Sequence, residues 1–247
     1  MSIEFDSRPV TLAGPARSRI ATAFAVSPAW PVNAIRLASL VVPGLFIAIV
    51  LLQPVEDPKL LFMDALAAAE HSGDCCKPYY GFASTIGIMI WCATAAVCLF
   101  SAAIFALWRR SRATILFAAS AGLFSGWLGF DDAFLIHEAV LPNMGIPEGV
   151  VMAVYIGLAL LYTGISAGSI LAADKWLFAA ACAALAFSVG IDAVFPNVER
   201  TYIYLEDSAK FFGIFMWASF HITTMAYLFL RPNGTKRPLG TSAGDRA

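Results

Sequence analysis

The sequence predicts an all-α integral membrane protein, a bundle of six transmembrane helices with both termini on the cytoplasmic side. Three observations predict it. The 247 residues are 60% hydrophobic and only 13% charged, where a soluble domain carries roughly 25% charged residues, and the mean hydropathy is +0.75. Six runs approach the roughly 20 apolar residues that a membrane span needs. Lys and Arg collect in segments that an even number of spans places on one side.

The runs are Ile35–Leu52, Phe82–Trp108, Thr114–Glu138, Gly149–Leu171, Trp176 to Phe195, and Ser208–Leu230. Helices are expected for all six, because open sheet edges or bare coil would leave backbone groups unpaired in hydrocarbon. Arg8, Arg17 and Arg19 precede the first span. Arg109, Arg110 and Arg112 follow the second, Lys175 precedes the fifth, and Arg231, Lys236, Arg237 and Arg246 follow the sixth. These segments belong in the cytoplasm by the positive-inside rule. The opposite connections hold Glu56, Asp57, Asp64, Glu70, Asp74, Glu148 and Glu199. A bacterial-type inner (plasma) membrane is the expected location.

Residues 1–33 read as a flexible cytoplasmic arm, 34–230 as the membrane domain, and 231–247 as a flexible cytoplasmic tail. Pro9, Pro15, Pro28 and Pro31, with no apolar core among them, argue against a secretory leader in the arm. One connection is long, residues 53–80, on the periplasmic side. Met63 to Glu70 within it suits a short surface helix before the turn at His71 to Asp74. The net charge of −1 provides no basic surface, so no nucleic-acid partner is expected. Small residues mark expected helix contacts: Ala118, Gly122 and Gly126 on the third span, and Ala179, Ala183, Ala186 and Gly190 on the fifth.

Function is sought where polar residues enter the spans, since a charge at the bilayer centre costs about 3 kcal/mol. Asp131 and Asp132 fall about 10 Å below the outer end of the third span, at 1.5 Å per residue. At 100° per residue Asp131 and Glu138 share a face, Asp132 turns toward Ser125, and His137 points a third way. The sixth span carries Glu206, Lys210, Trp217, His221 and Thr224 on one stripe, which should face the bundle interior. Lys210 lies one turn from Glu206 and Asp207, close enough to pair with them. Asp192 ends the fifth span, and Tyr155, Tyr162, Ser166 and Ser169 form a weaker stripe on the fourth. The acids and Lys210 therefore converge at the outer level.

Asp131, Asp132, His137 and Glu138 are residue types that hold a divalent metal or act as acid and base. Glu206, Asp207 and Lys210 would complete the catalytic set, and His221 and Asp192 could serve a proton path. A di-iron centre is not expected, because no carboxylate lies three or four residues from His137 on its span. A bis-histidine haem is not expected either: His221 lies about 21 Å deeper than Asp207. Cys92, Cys98 and Cys182 read as small packing residues. Cys75 and Cys76, beside His71 and Asp74, are a weak disulfide or soft-metal signal.

Three functions fit. The first is a membrane-embedded hydrolase or oxidoreductase, with or without a divalent metal, acting on membrane lipid or another apolar substrate near the outer leaflet. The second is a proton- or cation-coupled carrier or channel using the same carboxylates. The third is a structural or assembly subunit whose charges pair with other membrane subunits.

Overall fold

The computed structural model describes residues 29–73, 77–194 and 200–230. The adjacent Cys75 and Cys76, with Asp74, lie outside the described residues, as do most of the arm, the tail, Phe195 and Glu199. Eight helices carry the architecture: α1 (Ala29–Leu52), α2 (Pro58–Phe62), α3 (Ala65–Ser72), α4 (Phe82–Leu107), α5 (Arg112–Phe134), α6 (Glu148–Ala172), α7 (Lys175–Val194) and α8 (Arg200–Leu230). Among the described residues there is no strand. All but α2 and α3 are long and apolar enough to cross a membrane.

Close approach of backbones decides which helices pair. A Cβ on Gly122 would meet Leu99 Cγ at 2.7 Å and its backbone nitrogen at 2.9 Å, and one on Gly129 would meet Trp91 Cβ at 2.8 Å. Only glycine lets α5 lie this close to α4. Gly213 plays the same part for α8 against α7, where a Cβ would meet Leu185 Cγ at 2.6 Å. α8 is the central helix, packed on α7, α4 and α1, while α5 packs on α4 and α6 on α5. Phe46 of α1 stacks on Phe211 of α8 with ring centroids 4.5 Å apart.

The small-residue stripe expected on the third span is a packing face: Ala118 is fully buried and Gly122 meets Leu99. The one expected on the fifth is not. Ala179, Ala183, Ala186 and Gly190 are exposed, and α7 buries Leu177, Phe178, Ala181 and Ser188 instead. The inner face of α7 mixes small and bulky residues, because α8 supplies the glycine at their contact.

The two ends of the bundle differ in charge. At one end Arg36 of α1 makes two 2.7 Å bonds to the Asp174 carboxylate in the α6–α7 turn, and Arg110 reaches the Leu228 carbonyl at the end of α8. At the other end, α2 and α3 cap the bundle. Gly81, at φ +67°, lets the start of α4 pass under α3, since a Cβ there would lie 2.6 Å from the Ala65 nitrogen. Tyr204 of α8 donates to Asp57 at 3.0 Å and fastens the cap to the central helix.

Between the ends lies an aromatic layer. Trp91, Phe117, Tyr162, Phe178, Trp217, Phe220 and His221 are all buried. Trp217 and His221 lie 4.4 Å apart by ring centroid, and Trp91 stands edge-on to Trp217 at 6.1 Å.

Candidate functional site

The third long helix does not run on to Glu138. It ends at Phe134, and Leu135 adopts the left-handed conformation at φ 50° and ψ 42°. A single π-helical turn, Ile136–Val140, follows. Branched and bulky residues seldom occupy positive φ, and π-turns are frequent at functional positions. The helical face shared by Asp131 and Glu138 therefore does not form. The break turns the chain back, so that His137 reaches Asp131 six residues earlier.

Asp131 is buried and held on three sides. Its Oδ1 accepts from the His137 backbone N–H at 3.0 Å and from the Tyr155 hydroxyl at 2.7 Å. Its Oδ2 accepts from His137 Nδ1. On the far side of the imidazole, Nε2 lies 3.3 Å from Glu138 Oε1. Burial works against charge on His137, but the carboxylates on its two nitrogens outweigh it and push its pKa up to about 10. His137 in turn holds the Glu138 carboxyl below its usual range, against the opposing effect of burial. The result is an imidazolium clamped between a buried carboxylate and an exposed one.

Asp132 points elsewhere. Lys210 Nζ lies 3.0 Å from its Oδ1, and Trp91 Nε1 donates to its Oδ2 at 3.1 Å. Lys210 thus pairs across the bundle with Asp132 rather than along its own helix with Glu206 or Asp207. The reason is reach: Asp132 faces α8 across the bundle, and both acids of α8 feel Lys210 as a neighbouring charge without taking the bond. Asp192 is half-buried and adds negative charge beside Glu206.

Asp64 joins the group from the long connection. It precedes α3, and its Oδ1 accepts from the Ser84 hydroxyl at the start of α4. Burial pushes its carboxyl upward, opposed by the Ser84 bond and by Lys210. An open cleft of about 420 Å³ lies alongside, lined by Asp64, Ser84, Asp132 and Phe134 among others.

The predicted residues therefore separate into two sets. Asp131, His137 and Glu138, with Tyr155, form one. Asp132 and Lys210, with Trp91 and near Asp64, Glu206 and Asp207, form the other. The metal set expected of Asp131, Asp132, His137 and Glu138 does not assemble, because the adjacent aspartates diverge and His137 Nδ1 is engaged by Asp131. Among the described residues no three His, Cys, Asp or Glu side chains come together as metal ligands. Sequence reasoning placed Asp64 only on the outer side, and Tyr155 only on a stripe. The signal for Asp64 was its position directly before the short helix, with glycine at 81 to admit close packing.

His221 lies deep in the aromatic layer, about 16 Å below Lys210 along α8 at helical rise. It is fully buried. Its Nδ1–H donates to the Trp217 carbonyl at 2.8 Å, which leaves Nε2 to accept from the Tyr162 hydroxyl at 2.6 Å. Its partner on α6 is Tyr162. Its hydrogen bonds do not lead to Asp192, and Trp217 Nε1 donates to Ser125 at 2.9 Å.

A family model described as "Domain of unknown function (DUF8692)" matches residues 34–224, and the chain belongs to that family. The match runs from the first long helix into the last and includes every residue of both sets. No curated protein and no solved structure matches this chain.

Proposed function

We propose that this family member is a membrane-embedded enzyme whose outer-level acid–base site acts on a lipid or other apolar substrate. One observation carries the reading. The chain adopts an unfavourable backbone at Leu135 and a π-helical turn, and the product of both is a dyad of Asp131 and His137 oriented by Tyr155. Strained backbone held by its surroundings is concentrated at functional sites, as are titratable groups with displaced pKa values. Asp131 orients the ring, His137 supplies a proton, and the exposed Glu138 accepts one. The cleft beside Asp132 is lined as far as Leu135, two residues before His137, and would bring the substrate's polar head to this level of the bundle.

The carrier reading needs a polar route inward from this level. The aromatic layer around Trp217 and His221 supports a sealed interior instead. Inserted as proposed, the bundle has its acidic end outside and the end bearing Arg36, Arg110 and Lys175 in the cytoplasm of a bacterial-type inner membrane. Reporter fusions at Pro147 should read outside and at Ser111 inside; the reverse pair would overturn the orientation.

The activity test uses the full chain in nanodiscs made from a bacterial lipid extract, with lipid species followed by mass spectrometry. One or more species should be consumed by the wild type and not by His137→Gln or Asp131→Asn. Unchanged lipids, with proton-driven uptake into liposomes that depends on Asp131, would replace the enzyme with the carrier. Neither activity would leave an assembly subunit.

A further inference from the structure

The cleft lies where α3 meets α4 and the last turn of α5, and its walls differ in chemistry. One wall is polar and consists of Asp64, Ser84, Thr85 and Asp132. The other is apolar and includes Leu66 and Phe134, which are 74% and 58% exposed and carry the wall out onto the apolar flank of the bundle. A guest can therefore enter sideways, keeping a chain outside and bringing a head inside. The volume of about 420 Å³ lies within the roughly 300–1,000 Å³ of small-molecule sites.

The polar wall discriminates among heads. Ser84 spends its hydroxyl hydrogen on Asp64. Of the donors nearby, Trp91 gives its one N–H to Asp132 and Lys210 directs its ammonium at the same carboxylate, and neither residue lines the cleft. What the lining leaves for a guest is the Thr85 hydroxyl, which can donate or accept, and carboxylate oxygen. Glu138 and Asp207 stand behind the wall as further negative charges acting on Asp64. A phosphate or carboxylate head entering here meets the Asp64 carboxylate directly, while the one cation nearby, Lys210, is paired with Asp132, and a neutral hydroxyl gains a hydrogen bond without the Coulomb attraction. An ammonium gains both, and it meets the requirement that a buried charge be paired.

We propose that this cleft binds a single-chain amphiphile by a protonated amine head, with the ammonium on Asp64 and the tail along Leu66 and Phe134. The proposal rests on the acid–base reading and names the substrate class of that site.

The test is binding to the full-length protein in a neutral maltoside detergent, read by native mass spectrometry and by calorimetry. The ligands are dodecylamine, dodecanol and dodecyl phosphate. Dodecylamine should bind saturably and at least about tenfold more tightly than either of the others, since a charge-assisted bond is worth more than a neutral one. Asp64→Asn should weaken it by about tenfold or more, and Ala133→Trp, which fills the cleft from its exposed rim, should abolish it. Glu70→Gln, which removes one negative charge from α3 away from the cleft, should leave it unchanged. Equal affinity for dodecyl phosphate or dodecanol would overturn the proposal, as would wild-type binding by both cleft variants. Amine selectivity without lipid turnover in the same preparation would keep the head-group assignment and remove the enzyme. Turnover lost in His137→Gln, with no amine preference, would do the opposite.

Discussion

Lys210→Met tests the central cross-bundle contact. The change removes the 3.0 Å ion pair with Asp132 and leaves that carboxylate with the Trp91 N–H alone. Breaking a fully buried pair costs about 3–5 kcal/mol, and an exposed pair contributes about 0.2–1 kcal/mol. The side chains of Lys210 and Asp132 are 35% and 12% exposed. The carboxylate left behind is the more buried partner, so the cost lies between the limits, at about 2 kcal/mol. That corresponds to about a 30-fold shift in the folding equilibrium. Unfolding of the purified protein by SDS in mixed micelles, followed by circular dichroism, measures it. Asp132→Asn combined with Lys210→Met should recover at least half of the loss, because the orphaned charge is gone. Glu206→Gln or Asp207→Asn in the same background should recover little. A silent Lys210→Met, or rescue through Glu206 in place of Asp132, would refute the pairing.

Other consequences are equally direct. His137 has its pKa raised from 6.5 to about 10, so the stability it contributes is complete below about pH 6.5 and is lost as pH rises through about 10. Unfolding titrations across that window should show a downward slope for the wild type that His137→Gln flattens, and parallel curves would contradict the clamp. Leu135→Gly removes an unfavourable positive φ and should hold or raise the melting temperature by an amount equivalent to about 1 kcal/mol. Leu135→Val should lower it, and the opposite order would deny the left-handed geometry. Gly122→Ala forces a Cβ into Leu99 and should cost about 1–3 kcal/mol, whereas Gly164→Ala, with nothing within 4 Å of the new Cβ, should cost nothing measurable in the same melting assay.

The level of the cluster was legible in the sequence, and its pairings were not. Depth follows from counting residues along a helix, and Asp131, Asp132, Asp192, Glu206, Asp207 and Lys210 needed only that. The buried stripe of Trp217, His221 and Thr224 was legible for the same reason. Direction depends on helix continuity, and the break at Leu135 carries no glycine or proline to announce it. Once the helix breaks there, every angle computed beyond Phe134 is wrong, which is why Glu138 and His137 exchanged roles beside Asp131. Asp64 was missed because a long connection has no helical phase from which to extrapolate. The inner face of α7 was misassigned because small residues were read as contacts, when the glycine that permits the contact is on its partner, at 213.

The separation of the two charged ends by the aromatic layer has an electrical consequence. Among the described residues, Asp, Glu, Lys and Arg all stand toward one end or the other, and the layer between them behaves as an insulator. In an energised bilayer, carrying a unit charge through the whole potential involves about 2.3 kcal/mol per 100 mV. That drop is concentrated where charged groups are scarce, across the plane of Trp217, Phe220 and the His221–Tyr162 pair. In the orientation proposed above, a proton arriving at Glu138 or His137 from outside crosses almost none of it. Occupancy of the outer cluster should therefore follow the external pH and be indifferent to membrane voltage, so that collapsing the potential with an ionophore at constant external pH leaves the site unchanged.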